Sequence, residues 1–406
     1  MLTYRQALEF VLQQVCPLPP VTLPLAEAGG KVLAGTPKAR WDLPATDNSA
    51  MDGFAFAFAG QREDSLLPVT GFLPAGAPAL PAPPSGQAVR IMTGAPLPDG
   101  CDTVVPFEEV RQVAEGIRLA RPPRAGQHVR RRGEELRRGH PLFAPGQVLH
   151  SGEIGLLAAA GIAEVRVVPT PRVALLATGD ELVGLGAAPE PGQIVNSNLY
   201  MLDARLCEEG YPVERLGIAK DRLDDLREKL QRGLEADLLI TTGGVSVGDR
   251  DLVQQALREL DCTVHFWRVA IKPGKPVLFA SRRGRPVFSL PGNPAAAAAT
   301  FEILVRPALR GLAGHPQPEA PRLPAMIESP VAGDDRQRFI WGTATCRQGR
   351  FYFAPAFHQQ SGRNSCMDGF NALLPVAAGG PGLAAGEQAD ILLLRVPKTE
   401  GSDGSP

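Results

Sequence analysis

From residue 171 onward, short apolar runs alternate with amphipathic stretches, and this alternation restricts the fold more than any other feature. Segments 173–177, 213–218, 238–240, 264–271, 277–280 and 287–290 read as strands. The run Leu238-Leu239-Ile240 is apolar throughout, as a strand covered on both faces must be. Between the strands, Asn196-Ser197-Asn198 caps a helix through Leu202, Leu206 and Cys207. Asp221 opens another, with Leu223, Leu226, Leu230 and Leu234 on one face. Residues 295–312 read as one long helix behind Pro294, which a first turn tolerates. Strands and helices of these lengths imply a parallel sheet with right-handed crossovers.

Ligands meet such sheets beyond the carboxyl ends of the strands. That edge collects Asp180, Glu181, Asp221, residues 241–248 and residues 289–294. The stretch Asp237 to Asp251 reads DLLITTGGVSVGDRD, with its helix starting near 249–251. Glycines between a strand and a helix let backbone N–H groups approach an anion, and the helix N-terminus adds partial positive charge. The same glycines also suit a tight turn that needs their dihedral freedom. Convergence of the other polar segments on one edge favours the anion cradle.

The remaining chain is less regular. Tyr4, Ala7, Leu8, Val11, Leu12 and Val15 fall at helical spacing, and Thr3 with Gln6 forms a capping box. Residues 54–130 hold short apolar runs broken by Pro and Gly, an all-β pattern. Asp52 precedes its first strand, where a turn aspartate is common. Arg130-Arg131-Arg132 ends it beside Glu134 and Glu135, a solvated face or a phosphate contact. The segments on either side resemble each other enough to be halves of one small domain. The boundaries follow as 1–45 with 136–170 for a split N-terminal domain, 46–135 for an inserted β domain, 171–315 for the α/β domain and 316–397 for a C-terminal β domain. Residues 398–406 read as a disordered tail.

Composition enters as exclusion. A net charge of -1 over 406 residues argues against a polyanion-seeking protein, so no nucleic-acid partner is expected. No apolar run reaches membrane-spanning length, so no membrane partner is expected either. The six cysteines are scattered without a C-x-x-C pair, which indicates neither zinc nor a disulfide framework and fits a reducing cytoplasm. The candidate edge carries both signs. Asp52, Glu181, Asp221, Asp249 and Asp251 are acidic, while Lys272, Lys275 and Arg130 are basic. A helix N-terminus contributes only ~0.3–1 kcal/mol to anion binding when exposed. Specific binding therefore needs the basic side chains, and the carboxylates repel an anion unless they hold a cation. Carboxylates, a hard divalent cation and phosphate recur together. The residues thus point to a Mg²⁺-dependent enzyme acting on a phosphorylated or nucleotidylated ligand.

Eight motifs carry a resemblance across nearly the whole chain. They are DNSAMDGFA (47–55), TGAPLPDGCDTVVP (93–106), RRRGEEL (130–136), TGDEL (178–182), NSN (196–198), TTGGVSVGDRD (241–251), KPGKP (272–276) and PGNP (291–294). In order and spacing the chain resembles the bacterial MoeA molybdopterin molybdenumtransferases, and the family is similar to the E domain of gephyrin. The resemblance implies a four-part homodimer whose 171–315 domain binds molybdopterin. It implies insertion of molybdate into adenylylated molybdopterin, with AMP released and Mg²⁺ as cofactor. It further implies exchange with a molybdopterin adenylyltransferase and recipient molybdoenzymes. Asp52, Glu181, Asp221 and Lys275 fall at the family's catalytic positions, with Glu181 and Asp221 toward metal. Thr93, Arg130, Thr242, Gly243, Gly244, Ser246, Asp251, Lys272, Pro291, Gly292, Asn293, Pro294 and Ser361 fall at substrate positions. Two departures stand out. The Ser361 segment reads QSGRNSCMDGFNALLP, and Glu135 replaces a frequent Asp. Two other functions are alternatives. An adenylyltransferase resembles 171–312 alone, so residues 1–170 argue against it. A gephyrin-type scaffold needs a second fused α/β domain, which this chain lacks.

Overall fold

The computed structural model describes residues 1–244 and 252–399. Residues Ser246 and Asp251, and the helix start expected at 249–251, lie outside the described residues. The chain divides into two compact units, one of Val21–Val167 and one of Met1–Pro20 with Val168–Pro406.

The larger unit is built on a six-stranded sheet. Its spatial order is Val213–Ala219, Val173–Thr178, Leu238–Thr242, Arg285–Leu290, Leu278–Arg282, Thr263–Phe266. The first four strands are parallel. Leu278–Arg282 runs antiparallel to both of its neighbours, so the sheet is mixed rather than purely parallel. The reason is local: Arg283 and Gly284, both at positive φ, turn 278–282 directly back into 285–290 as a hairpin. The single strand expected over 264–271 also divides. Thr263–Phe266 edges this sheet, while Ile271–Lys272 pairs with Gln337–Arg347 of another.

Strand period sets the two cores. Val173, Leu175, Ala177, Leu238 and Ile240 face the helices Asn198–Glu208 and 294–312, whereas Ala174, Leu176 and Leu239 face Leu223–Gly233 and Leu252–Glu259. The helix Tyr4–Gln14, expected in the small split domain, belongs to the larger unit instead. Ala7, Leu8 and Val11 are wholly buried among Val305, Leu309 and Phe339. Its capping box is present as expected. The long helix over 294–312 runs through a π turn at Phe301–Val305. Just before it, the Thr300 hydroxyl donates to the carbonyls of Ala296 and Ala297, a back-bond that competes with the helical ladder. The C-terminal strands close on themselves, since Gln337–Arg347 pairs with both Arg350–Pro355 and Ala372–Val376. Lys398–Thr399 pairs in parallel with Thr345–Cys346, so the expected tail starts as a strand.

The smaller unit holds a three-stranded sheet of Val21–Pro24, Glu164–Val168 and Val32–Leu33 beside the helix Ser151–Ala159. It also holds a four-stranded sheet of Val69–Leu73, Ala88–Ile91, Gly53–Phe56 and Thr103–Pro106.

Candidate functional site

After Val173–Thr178 the chain crosses to one side of the sheet, and it returns for Leu238–Thr242 on the other. The crevice beyond these two strand ends is a topological switch point, where ligands of such sheets bind. A cleft of about 550 Å³ opens there. Glu181, Thr242, Gly243, Gly244, Pro291, Gly292, Asn293 and Pro294 line it, as the sequence placed them on this edge.

The glycines of the cleft have a packing cause. Gly243 has φ +84°, and a Cβ there would meet the Thr178 carbonyl oxygen at 2.3 Å. Gly244 has φ +68°, and its Cβ would meet Thr178 Oγ1 and Val253 Cγ2 at 2.6 Å. So the tight-turn explanation suffices for both residues, although both line the cleft. The hydroxyls of Thr178, Thr241 and Ser289 are buried at these strand ends without a partner among the described residues. Buried polar atoms of this kind cost ~1–3 kcal/mol each when unpaired, and they give the crevice a polar floor.

The NSN motif marks Asn198 only as part of a cap. It is buried, and its Nδ2 donates to the Gly292 carbonyl at 2.8 Å, fixing the 291–294 loop against the helix Asn198–Glu208. Capping falls to Asn196, whose Oδ1 accepts from Leu199 N–H at 3.3 Å. The legible signal was a third polar residue directly ahead of an apolar helical face, one more than a cap requires.

Asp221 differs from expectation as well. The helix Leu223–Gly233 is preceded by Arg222, and no side chain caps it. Asp225 takes the bond instead, accepting from Lys220 N–H at 2.6 Å. Asp221 lies beside Asp180, whose carboxylate accepts from Asp221 N–H at 3.2 Å. Its own carboxyl is pushed above the usual range by burial first, then by the negative charges of Asp180 and Glu181. No three His, Cys, Asp or Glu converge as a metal cage among the described residues. A two-carboxylate oxygen set nevertheless suits Mg²⁺, which keeps waters and takes substrate phosphate oxygens. The repulsion around Asp221 is what such a cation relieves.

A second cleft of about 510 Å³ adjoins the first and shares Pro276, Pro291, Asn293 and Gly362 with it. Lys272, Lys275, Arg336 and Ser361 lie on it. The divergent Ser361 segment is thus brought to the site. Ser361 Oγ accepts from Asn293 Nδ2 at 3.1 Å, and its carbonyl accepts from Ala295 N–H at 3.0 Å. The two lysines are unequal. Lys272 Nζ lies 2.6 Å from Asp334 Oδ2, whereas Lys275 has no carboxylate partner among the described residues.

In the smaller unit, Asp52 and Thr93 come together. Asp52 Oδ1 accepts from the Thr93 N–H and hydroxyl, both at 2.7 Å. The backbone N–H first, then the hydroxyl, hold the Asp52 carboxyl below its usual range. Arg130 pairs in backbone register with Asn48, four positions from Asp52. Its guanidinium lies 3.4 Å from Glu134 and 3.5 Å from Glu135. Arg131 and Arg132 are likewise paired, with Asp47 and Asp42.

Comparison with known proteins identifies the family. The family model described as "MoeA N-terminal region (domain I and II)" matches residues 2–161, and "Probable molybdopterin binding domain" matches 174–311. A molybdopterin molybdenumtransferase of Nostoc sp. is 36% identical over 383 residues, covering 91% of this chain and 87% of its own. One from Staphylococcus aureus is 32% identical over 400 residues, covering 96% and 94%. The solved structure of a molybdopterin biosynthesis MoeA protein from Pyrococcus horikoshii superposes with a TM-score of 0.80 at 27% identity, covering 97% of this chain and 100% of that one.

Proposed function

The chain belongs to the molybdopterin molybdenumtransferase family, enzymes of molybdenum cofactor biosynthesis, and we propose that it inserts molybdate into adenylylated molybdopterin, releasing AMP with the help of Mg²⁺. The observation that carries this reading is the division of charge around the Pro291–Pro294 loop. Glu181 lines the cleft on one side of the loop, and Lys275 lines the cleft on the other. A ligand spanning both meets carboxylates at one end and an unpaired ammonium at the other.

Each set of residues then has a distinct task. Thr242, Gly243, Gly244 and the loop Pro291-Gly292-Asn293-Pro294 seat the molybdopterin portion. Glu181 and Asp221 hold Mg²⁺, which supplies charge neutralisation on phosphate oxygens when bound. Lys275 seats the oxyanion as a compact point charge, with Ser361 and Arg336 beside it and Lys272 contributing less because Asp334 neutralises it. Asp52, Thr93 and Arg130 keep the substrate roles that the family resemblance gives them, served in this reading to the other subunit of the homodimer. The working unit in this reading is a cytoplasmic homodimer that takes its substrate from an adenylyltransferase and passes cofactor to molybdoenzymes. No helix among the described residues is long and apolar enough to cross a membrane.

The test is a reconstitution of purified protein with adenylylated molybdopterin, molybdate and Mg²⁺, following AMP. Asp221→Ala is expected to raise the Mg²⁺ required, and Lys275→Ala the molybdate required. If both variants shift only the molybdate titration, the carboxylates are not metal ligands. Sedimentation should give twice the 43.1 kDa chain mass, and a fully active monomer removes the dimer from the reading.

A further inference from the structure

The turn that carries Lys275 has two sides. One lines the oxyanion cleft just described. The other closes a cavity of about 570 Å³, lined by Met1, Leu2, Phe266, Trp267, Arg268 and Lys275. The backbone between them is pinned. Ala270 N–H donates to the Leu2 carbonyl at 2.8 Å, and the Lys275 carbonyl accepts from Val269 and Val277 N–H at 3.1 and 3.2 Å. Lys275 therefore moves its charge from one cavity to the other only by swinging its flexible stem.

The charge on this rear cavity is one-sided. Arg268 and Lys275 line it, and no carboxylate does. Neither cation has an ion-pair partner among the described residues, while Lys272 three residues away is paired. The Arg268 guanidinium carbon sits 4.2 Å from the Trp267 ring centroid. That contact orients the cation without neutralising it. Arg268 Nε and Trp267 Nε1 are both buried and have no hydrogen-bond partner among the described residues. Two unneutralised cations against an aromatic wall make a strong local positive potential, because low-dielectric walls focus the field. A planar guanidinium beside a mobile ammonium matches the oxygens of a tetrahedral oxyanion.

We propose that this rear cavity is a second binding site for a tetrahedral oxyanion, held by Arg268 and Lys275, whose occupant draws the Lys275 ammonium away from the front cleft. Excess oxyanion then inhibits the enzyme. The coupling rests on the proposed role of the front cleft, whereas occupancy of the rear cavity does not.

The experiment uses the full chain and calorimetric titration with molybdate and, separately, inorganic phosphate. Wild type is expected to take up two molybdate ions per chain. Arg268→Gln should weaken one of them by about ten- to a hundredfold, the loss of one charge-assisted contact. Lys272→Ala should weaken only the other, because it leaves the Asp334 carboxylate un-neutralised beside the front cleft. Basal turnover of Arg268→Gln should equal wild type, with inhibition by excess oxyanion abolished. Inhibition by phosphate below the molybdate range assigns the rear site to phosphate, and the reverse order assigns it to the substrate's own oxyanion. A single ion per chain, or an Arg268→Gln isotherm identical to wild type, overturns the proposal. If Lys272→Ala changes nothing while Arg268→Gln loses one ion, the front-cleft reading fails and the rear site stands. Should Arg268→Gln not fold, tryptophan fluorescence decides. Molybdate should change the wild-type emission saturably and leave that of Trp267→Phe unchanged, and no saturable change in wild type refutes the site.

Discussion

Gly243 and Gly210 share a backbone conformation but not an environment, and the pair separates strain from packing. Gly210 has φ +79° after the helix Asn198–Glu208, with nothing within 4 Å of a Cβ built on it. Gly210→Ala should therefore cost only the left-handed strain, ~1–2 kcal/mol. Gly243 carries the same strain at φ +84° and adds a Cβ 2.3 Å from the Thr178 carbonyl oxygen. That oxygen belongs to the main chain at the end of a central strand, so it yields only if the strand shifts. Overpacking of this kind costs ~1–3 kcal/mol more, giving ~2–5 kcal/mol in total. For a unit of this size the midpoint should fall by roughly 5–15 °C. Gly292→Ala is the second control, because its Cβ meets only Gly243 Cα at an ordinary 3.7 Å and its φ is not positive. Its stability should match wild type even though Gly292 lines the cleft. Calorimetry of the three variants reads the difference. If Gly243→Ala is no less stable than Gly210→Ala, the clash is not felt, and the glycine serves the ligand rather than the turn.

Three further outcomes follow from the charged groups. Thr93→Val removes one of the two donors to Asp52 and should raise its carboxyl toward the usual value while leaving the backbone contribution. Because the folded-state value is depressed, the stability this carboxylate contributes is present above the unfolded value and lost as pH falls through the folded one, so the variant should lose it at higher pH in an NMR titration. Asp221 has the opposite sign: its raised carboxyl favours the protonated fold at low pH, a contribution lost as pH rises through the folded value, and Asp180→Asn should lower that value. A bound Mg²⁺ should lower it too, and an Asp221 titration indifferent to Mg²⁺ would count against metal at this carboxylate. Glu135→Asp should change turnover little, because Glu135 touches Arg130 at a long 3.5 Å; a large change in either direction would place it in direct contact with substrate.

Period and punctuation made the larger sheet legible. The runs at 173–177 and 238–240 are uniformly apolar because helices cover both faces, and the glycines that follow them mark the strand ends where the cleft opens. What period does not encode is direction. Residues 277–280 and 287–290 read as ordinary strands, and only the two-residue turn between the observed strands makes the pair antiparallel. Nor does a local cap motif show that any side chain caps the helix. Asp221 suits the role by position, but Asp225 reaches the free N–H of Lys220 from the first helical turn and is further held by Lys229 at 2.8 Å. The least legible feature was the fate of the helix Tyr4–Gln14. Its apolar face was plain, but the partner of that face lies some three hundred residues away, and nothing local in the sequence records it.

The two lysines of the KPGKP turn looked equivalent in sequence, and their difference in the structure leads to a final prediction. Asp334 Oδ2 takes the Lys272 ammonium at 2.6 Å, and its Oδ1 accepts from Arg336 N–H at 3.1 Å. The Lys272 hydrogen bond first, then the Arg336 N–H, hold the Asp334 carboxyl below its usual range. Asp334→Asn keeps a carbonyl for the Arg336 N–H but removes the charge. Lys272 is then free to serve the proposed oxyanion cleft, whose net charge rises by one. Lys272 is half-exposed, so water screens it and the gain is limited to a few-fold less molybdate at half-saturation, shrinking as salt rises. The double variant Lys272→Ala with Asp334→Asn should remove the gain, because there is no longer an ammonium to free. Titrations with molybdate at low and at physiological salt measure both effects. If Asp334→Asn raises the molybdate required, Asp334 is positioning Lys272 rather than competing with the oxyanion for it, and the pair must be counted as one unit of the site.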